Sequence, residues 1–262
     1  MRLSIETHGR GEPIVFIHGM GSAATAWKPL IKLLKNDFQS ITVDLPGHGK
    51  TPFSSSQAMD PYSLAKLVQK NLSALNIYSY HLVGNSLGGW VSLEMAAEFS
   101  KNVKSVIGLA PAGLWLTPFT SRYPGEVALR LVASGVNKLA PALLNYTWAK
   151  QIGFESVSPR WQDLDYEVCL DATNAMAKSE GYFPAWDALL GKRFDKKIDQ
   201  HIPVTIIFGD TDRTLPVKTC QERSLAPSHA KWIILPNTGH APMWDSTHDV
   251  LAEIYMTIES VE

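Results

Sequence analysis

Ser86 stands in the pentapeptide Gly84-Asn85-Ser86-Leu87-Gly88, directly after the apolar run His81–Val83 and directly before a helix-like stretch that reaches Phe99. A G-x-S-x-G segment between a strand and a helix exposes a serine hydroxyl on a sharp turn. The turn strains the serine backbone, and the positions two before and two after have room only for glycine. A hydroxyl is a weak nucleophile, so attack on a carbonyl needs a base to take its proton. Histidine, with a pKa near neutrality, suits that task. Of eight histidines, His240 in "LPNTGHAPMWD" falls in the loop between the last strand and the last helix, at the sheet edge where Ser86 also lies. His81 is inside a strand, His8 and His201 are near strand starts, and His229 and His248 read as surface residues. The base needs a carboxylate to fix its tautomer, and "GDTDRTLP" offers Asp210 and Asp212. Asp212, deeper in the loop, is preferred; Asp210 is expected to form a turn by bonding its own backbone. The order Ser86, Asp212, His240 is the one in which such a triad follows a G-x-S-x-G turn. The oxyanion that forms needs two waiting donors. These are expected from the N–H of Leu87 and the N–H of Met20 in His18-Gly19-Met20-Gly21, a loop that His18 would brace by hydrogen bonding.

These residues must be held by the elements around them. "PIVFIHG" (13–19), "SITVDLPGHG" (40–49), "SYHLVG" (79–84), "VKSVIGLAP" (103–111), "IPVTIIFGD" (202–210) and "AKWIILPN" (230–237) are short apolar runs stopped by Gly, Pro, Asp or Asn. Continuous apolar runs without alternation suit parallel strands covered on both faces. Helical faces lie between them: Trp27, Leu30, Ile31, Leu33 and Leu34; Leu64, Leu67, Val68, Leu72 and Leu75 behind an Asp60-Pro61 start; Val91, Met95 and Phe99; and Val250, Leu251, Ile254 and Tyr255. The alternation predicts a doubly wound α/β core with its site at the carboxyl ends of the strands. It breaks over residues 114–191, a helical stretch rich in aromatics, Tyr123 among them, and punctuated by prolines. We read that stretch as an inserted helical cap, with residues 1–113 and 192–262 as one core domain. Leu114, Trp115, Trp148, Trp161 and Trp186 either build a small core for the cap or line an apolar pocket beneath it, and Trp27 is a further candidate wall.

Composition narrows the classes. With 45% hydrophobic and 19% charged residues, the chain is an ordinary globular protein with a substantial core. A formal net charge of −1 gives no single-signed field for nucleic acid or an acidic membrane surface. No run of about 18 apolar residues predicts a membrane span. A soluble cytoplasmic protein is expected, with Cys169 and Cys220 as buried free thiols. No ligand spacing such as His-x-x-x-His predicts a metal.

Taken together, "HGMG", "DLPGHGKT", "GNSLGG", "GDTDRTLP" and "GHAP" resemble the α/β-hydrolase superfamily in order and spacing across nearly the whole chain. The resemblance implies an eight-stranded, mostly parallel sheet with helices on both faces, a cap, a small-molecule substrate and no cofactor. A serine nucleophile, rather than an aspartate, implies acyl transfer of the carboxylesterase kind through an acyl-enzyme. A second branch, the carbon–carbon hydrolases that cleave vinylogous keto acids (meta-cleavage products), is also similar, through "GNSLGG" followed by "LAPAGL". That resemblance implies substrate contacts from Asn85 and a carboxylate-binding arginine in the cap, for which Arg160 is a candidate. The tryptophan that this branch tends to carry after the catalytic histidine is Ala241 here. Gly19 is expected to border the substrate.

Overall fold

The computed structural model describes residues 1–122 and 124–261; Tyr123 lies outside the described residues. Its sheet has seven strands: β1 (Ser4–Gly9), β2 (Glu12–Ile17), β3 (Phe38–Asp44), β4 (Tyr80–Asn85), β5 (Val103–Leu109), β6 (Val204–Gly209) and β7 (Lys231–Leu235). They lie in the order β1-β3-β2-β4-β5-β6-β7, with β1 antiparallel to β3 and every other pair parallel. The expected count of eight is therefore corrected to seven among the described residues. Residues ahead of β2 form one strand, which turns through Gly9 and Gly11, both at positive φ, and pairs with β3 rather than β2.

Both faces of the central strands are buried, which is why their sequences do not alternate. In β2, Val15 and Ile17 enter one core with Leu64, Val68 and Leu93. Ile14 and Phe16 enter the other with Leu30, Leu34, Val250 and Ile254. The first core is covered by α2 (Pro61–Ala74) and α3 (Leu87–Glu98), and the second by α1 (Lys28–Leu34) and α11 (Thr247–Glu259). Helix α2 starts as its sequence predicts, with Pro61 in the first turn and the Asp60 side chain accepting from the Ser63 N–H at 3.1 Å. Helix α3 is buried on nearly every side from Leu87 to Ala96, as a central helix that is apolar all round must be. On α1, Leu33 faces solvent instead of joining its predicted apolar stripe.

Between β5 and β6 the described residues form only helices: α4 (Pro124–Val136), α5 (Ala140–Leu143), α6 (Thr147–Phe154), α7 (Tyr166–Lys178) and α8 (Tyr182–Leu189). Phe154, Trp161, Leu164 and Cys169 make a small core of their own there, while Ala185 and Leu189 of α8 pack into the main core. Short helices α9 (Val217–Cys220) and α10 (Pro242–Asp245) follow β6 and β7. The sheet reverses direction of growth at β2, with β3 on one side and β4 on the other. The loops after β2 and β4 thus flank the crevice where such sheets bind ligands.

Candidate active site

Ser86 joins β4 to α3 with φ 54° and ψ −117°, a conformation that an L-residue holds only under strain of order 1–3 kcal/mol. The glycines make that turn possible. A Cβ on Gly84 would collide with the Gly88 carbonyl and the Ser92 hydroxyl, and one on Gly88 would collide with the Ile17 carbonyl and lie 2.6 Å from the His18 oxygen. The elbow is pinned to β5: the Ser86 N–H donates to Leu109 O (3.0 Å) and the Ser86 carbonyl accepts from Ala112 N (2.9 Å). These bonds offset the strain.

The loops after β6 and β7 bring Asp212 and His240 together. Asp212 is buried, and its Oδ1 accepts from the N–H groups of Thr214 (2.9 Å) and Leu215 (2.8 Å). That leaves Oδ2 for His240 Nδ1, at 2.9 Å. A carboxylate only accepts, so Nδ1 carries the proton and the neutral ring keeps its lone pair on Nε2. Asp210 is exposed and accepts from Thr238 N at 3.3 Å. It bonds the neighbouring loop, not its own backbone as its turn-like sequence suggested, because β7 ends beside it.

The loop after β2 lies against Ser86. A Cβ on Gly19 would stand 3.0 Å from Ser86 Cβ and 3.2 Å from Asn85 Oδ1. His18 braces this loop as expected: Nδ1 donates to Gly19 O (2.7 Å) and Nε2 accepts from Leu45 N (3.0 Å). Full burial pushes its pKa down to about 4, so the ring is neutral and its 4.0 Å approach to Asp44 is not an ion pair. His48, packed against it, is pushed down to about 3 by burial and by His18. Leu87 is the first residue of α3, where a main-chain N–H has no carbonyl of its own helix to meet. Met20, Leu87, Ser86 and His240 all line one cavity of about 300 Å³.

Other candidates divide between the cavity and elsewhere. Trp115, Trp148, Trp186, Gly19 and Asn85 line it. Trp115 is fixed by its indole N–H on Lys192 O (2.7 Å). Asn85 donates to Leu109 O (3.1 Å) and His240 O (3.0 Å), so its amide ties the His240 loop to β5 while Oδ1 faces Gly19. Three candidates are corrected. Trp27, directly ahead of α1, is fully buried with its ring 5.2 Å from Phe16, so it supports the core. Trp161 packs into the small core with Cys169. Arg160 is turned away from the cavity, with Nη1 donating to Asp245 O at 2.6 Å and Nε 3.6 Å from Asp163. Among the described lining residues His240 is the one titratable side chain; the rest of the wall is chiefly aromatic and aliphatic. No group of three metal-ligating side chains occurs among the described residues, and none of their helices is long and apolar enough to cross a membrane.

A group that sequence reasoning missed lies behind His240. Asp245, buried, accepts from Gly239 N (2.8 Å) and from the Ser158 hydroxyl, which also accepts from Arg160 N (3.1 Å). Burial raises the Asp245 carboxyl. Together with the His240 N–H on Val157 O (2.8 Å), these bonds anchor the His240 loop to residues 157–160. The partners are 87 residues apart in sequence, and no local pattern announces the contact.

The sequence model described as the Alpha/beta hydrolase family matches residues 14–254. A pimeloyl-[acyl-carrier protein] methyl ester esterase of Legionella pneumophila (strain Paris) is 26% identical over 249 residues, covering 94% of this chain and 95% of the relative. Among solved structures, a meta-cleavage product hydrolase from Pseudomonas fluorescens IP01 superposes with a TM-score of 0.74 at 18% identity, covering 99% of this chain and 95% of that one. A bromoperoxidase from Bacillus anthracis superposes with a TM-score of 0.75 at 20% identity, covering 98% and 95%. At such identities the solved structures establish a shared fold, and that fold carries several chemistries.

Proposed function

The chain belongs to the alpha/beta hydrolase family, and from that premise we propose that it hydrolyses carboxylic esters of apolar, uncharged acids through an acyl-enzyme on Ser86. His240 Nε2 takes the Ser86 proton as Oγ bonds to the ester carbonyl carbon. The carbonyl electron pair moves to oxygen, where the N–H groups of Leu87 and Met20 meet it; each such donor is worth about 10²–10³ in rate. Collapse expels the alcohol oxygen, which takes the proton from His240. Water then repeats the sequence against the acyl-serine, and His240 again carries the proton. Asp212 holds the ring in the required tautomer throughout.

One observation carries the ester reading. Ser86 and the His240–Asp212 pair face a cavity whose described wall offers no cation. A keto acid would bring a carboxylate into that apolar space without a partner, which is unfavourable by several kcal/mol. Carbon–carbon cleavage is therefore the weaker alternative, since Arg160, its candidate anchor, is bonded to Asp245 O. The relationship to a methyl ester esterase supports the same choice. The test is release of p-nitrophenol from short and long acyl esters by the wild type and by Ser86→Ala. Turnover is expected to fall at least about 10⁴-fold in the variant with its melting temperature kept. Equal turnover by both proteins would refute the assignment.

A further inference from the structure

Three glycines stand in the described cavity wall: Gly19, Gly21 and Gly153. Two of them have a local reason. A Cβ on Gly19 would stand 3.0 Å from Ser86 Cβ, and Gly21 has φ 74°. Gly153 has neither reason. It lies within α6, outside the left-handed region, and the helix runs on to Phe154 with a right-handed cap at Glu155. A Cβ there would meet no heavy atom within 4 Å. After proline, glycine is the residue that weakens a helix most, so the position sacrifices helix stability for empty space. That space belongs to the cavity. Residues one turn apart share a helix face. On α6, Trp148 and Ile152 line the cavity from an exposed outer stripe, and Ala149 and Gly153 line it from a half-buried inner one.

We propose that Gly153 is a specificity-determining residue, whose missing side chain leaves room for the acyl chain of a medium-length ester. The cavity holds about 300 Å³. At roughly 30 Å³ per methylene-sized group, a water's share of its liquid, that space takes about ten heavy atoms, the size of an octanoyl ester group. The wall is chiefly aromatic and aliphatic, so each methylene that enters exchanges water for an apolar surface. Until the space is full, kcat/KM should rise about fourfold per methylene. A leucine at position 153 would put its own isobutyl group there and displace that length of chain. The placement of the acyl carbonyl rests on the ester-hydrolase reading, but occupation of the space by an alkyl chain does not require catalysis.

The test compares kcat/KM for p-nitrophenyl octanoate and p-nitrophenyl acetate in the wild type, Gly153→Leu and Gly135→Leu. Gly135 is exposed on α4, outside the lining, and a Cβ there also meets nothing within 4 Å, so it carries the same exchange away from the cavity. The octanoate-to-acetate ratio is expected to fall at least about tenfold in Gly153→Leu and to stay within about twofold in Gly135→Leu. Gly153→Ala is expected to fall between the wild type and Gly153→Leu. Melting temperatures should hold or rise, because alanine and leucine are better helix formers than glycine. Affinity for 1-octanol, read from the intrinsic tryptophan fluorescence, should weaken in Gly153→Leu alongside the ratio. An unchanged ratio in Gly153→Leu, or an equal fall in Gly135→Leu, overturns the proposal and leaves the ester reading intact. A fall in the octyl acetate to ethyl acetate ratio without one in the acyl series assigns the space to the alcohol chain and overturns it as well. If no protein releases p-nitrophenol while 1-octanol binds the wild type more tightly than Gly153→Leu, the chain site stands and the ester reading falls. Equal octanol binding without any turnover overturns both.

Discussion

Asp212→Asn is the substitution that best interrogates the site, because the structure dictates how the new amide must sit. Asp212 Oδ1 accepts from two main-chain N–H groups, Thr214 at 2.9 Å and Leu215 at 2.8 Å. Those donors will hold the carbonyl oxygen of an asparagine, which turns its NH2 toward His240 Nδ1, 2.9 Å from the atom it replaces. A donor there forces Nδ1 to accept, so the ring proton moves to Nε2 and the imidazole can no longer take the serine proton. The substitution is isosteric and satisfies every hydrogen bond, so folding should be almost untouched while the wrong tautomer dominates. A tautomer fault of this kind lowers kcat by about 10⁴-fold, or roughly 5.4 kcal/mol of barrier. Asp210→Asn is the control: that side chain is exposed and has a single 3.3 Å contact, so its effect should stay within about twofold. The assay is p-nitrophenyl ester turnover, with the rate of inactivation by a serine-directed phosphonate and the melting temperature measured alongside. An Asp212→Asn enzyme within tenfold of wild type, or a larger loss in Asp210→Asn, would refute the tautomer argument.

Other consequences are equally concrete. Gly88→Ala puts a methyl group into the Ile17 carbonyl and 2.6 Å from the His18 oxygen, both main-chain atoms that cannot give way. A loss of at least about 3 kcal/mol is expected in urea unfolding, and a loss under 1 kcal/mol would contradict the packing. Asp245→Ala strands the buried Gly239 N–H and Ser158 hydroxyl, for about 1–3 kcal/mol of stability. Because the His240 loop then loosens, kcat should fall with KM little changed; an unchanged kcat would remove Asp245 from any positioning role. His18 and His48 stay neutral in the fold, with pKa values pushed down to about 4 and about 3. Above about pH 6.5 both states are uncharged and this stability is fully present. As pH falls below 6.5 the unfolded chain binds protons first, so stability declines toward pH 4, by roughly 3 kcal/mol from His18 alone. Urea midpoints at pH 7.5 and 4.5 measure this, and His48→Gln should flatten the dependence, which separates the imidazoles from the raised carboxyls of Asp44 and Asp245. A profile equally steep in that variant would place the acid sensitivity elsewhere.

Much of the architecture could be read from sequence because its signals are local. The six apolar runs became β2 to β7; in β2 to β6 the reason is burial on both faces, which needs an unbroken apolar stretch, whereas β7 is a partly exposed edge strand. The turn at Ser86 was legible because a glycine two residues to each side answers a steric requirement confined to five residues. Strand β1 was not: Ser4–Gly9 is polar in four of its six positions and joins the sheet as an edge, where nothing forces an apolar run. Among the aromatics, sequence gave identity without direction. Trp115, Trp148 and Trp186 reach the cavity, whereas Trp27 and Trp161 turn into separate cores, and helical spacing alone does not choose between those faces.

By itself, then, the sequence determined the elbow at Ser86, the loops that hold Asp210, Asp212 and His240, and the strands whose ends carry them. Tertiary structure decided the rest: which aspartate meets His240, that Arg160 bonds the Asp245 carbonyl instead of reaching the cavity, and that Ser158 and Asp245 close a bond across 87 residues. The physical reason is range. Backbone strain and burial pattern act within a few residues of the chain, whereas hydrogen bonds between loops depend on where the packed sheet sets their ends.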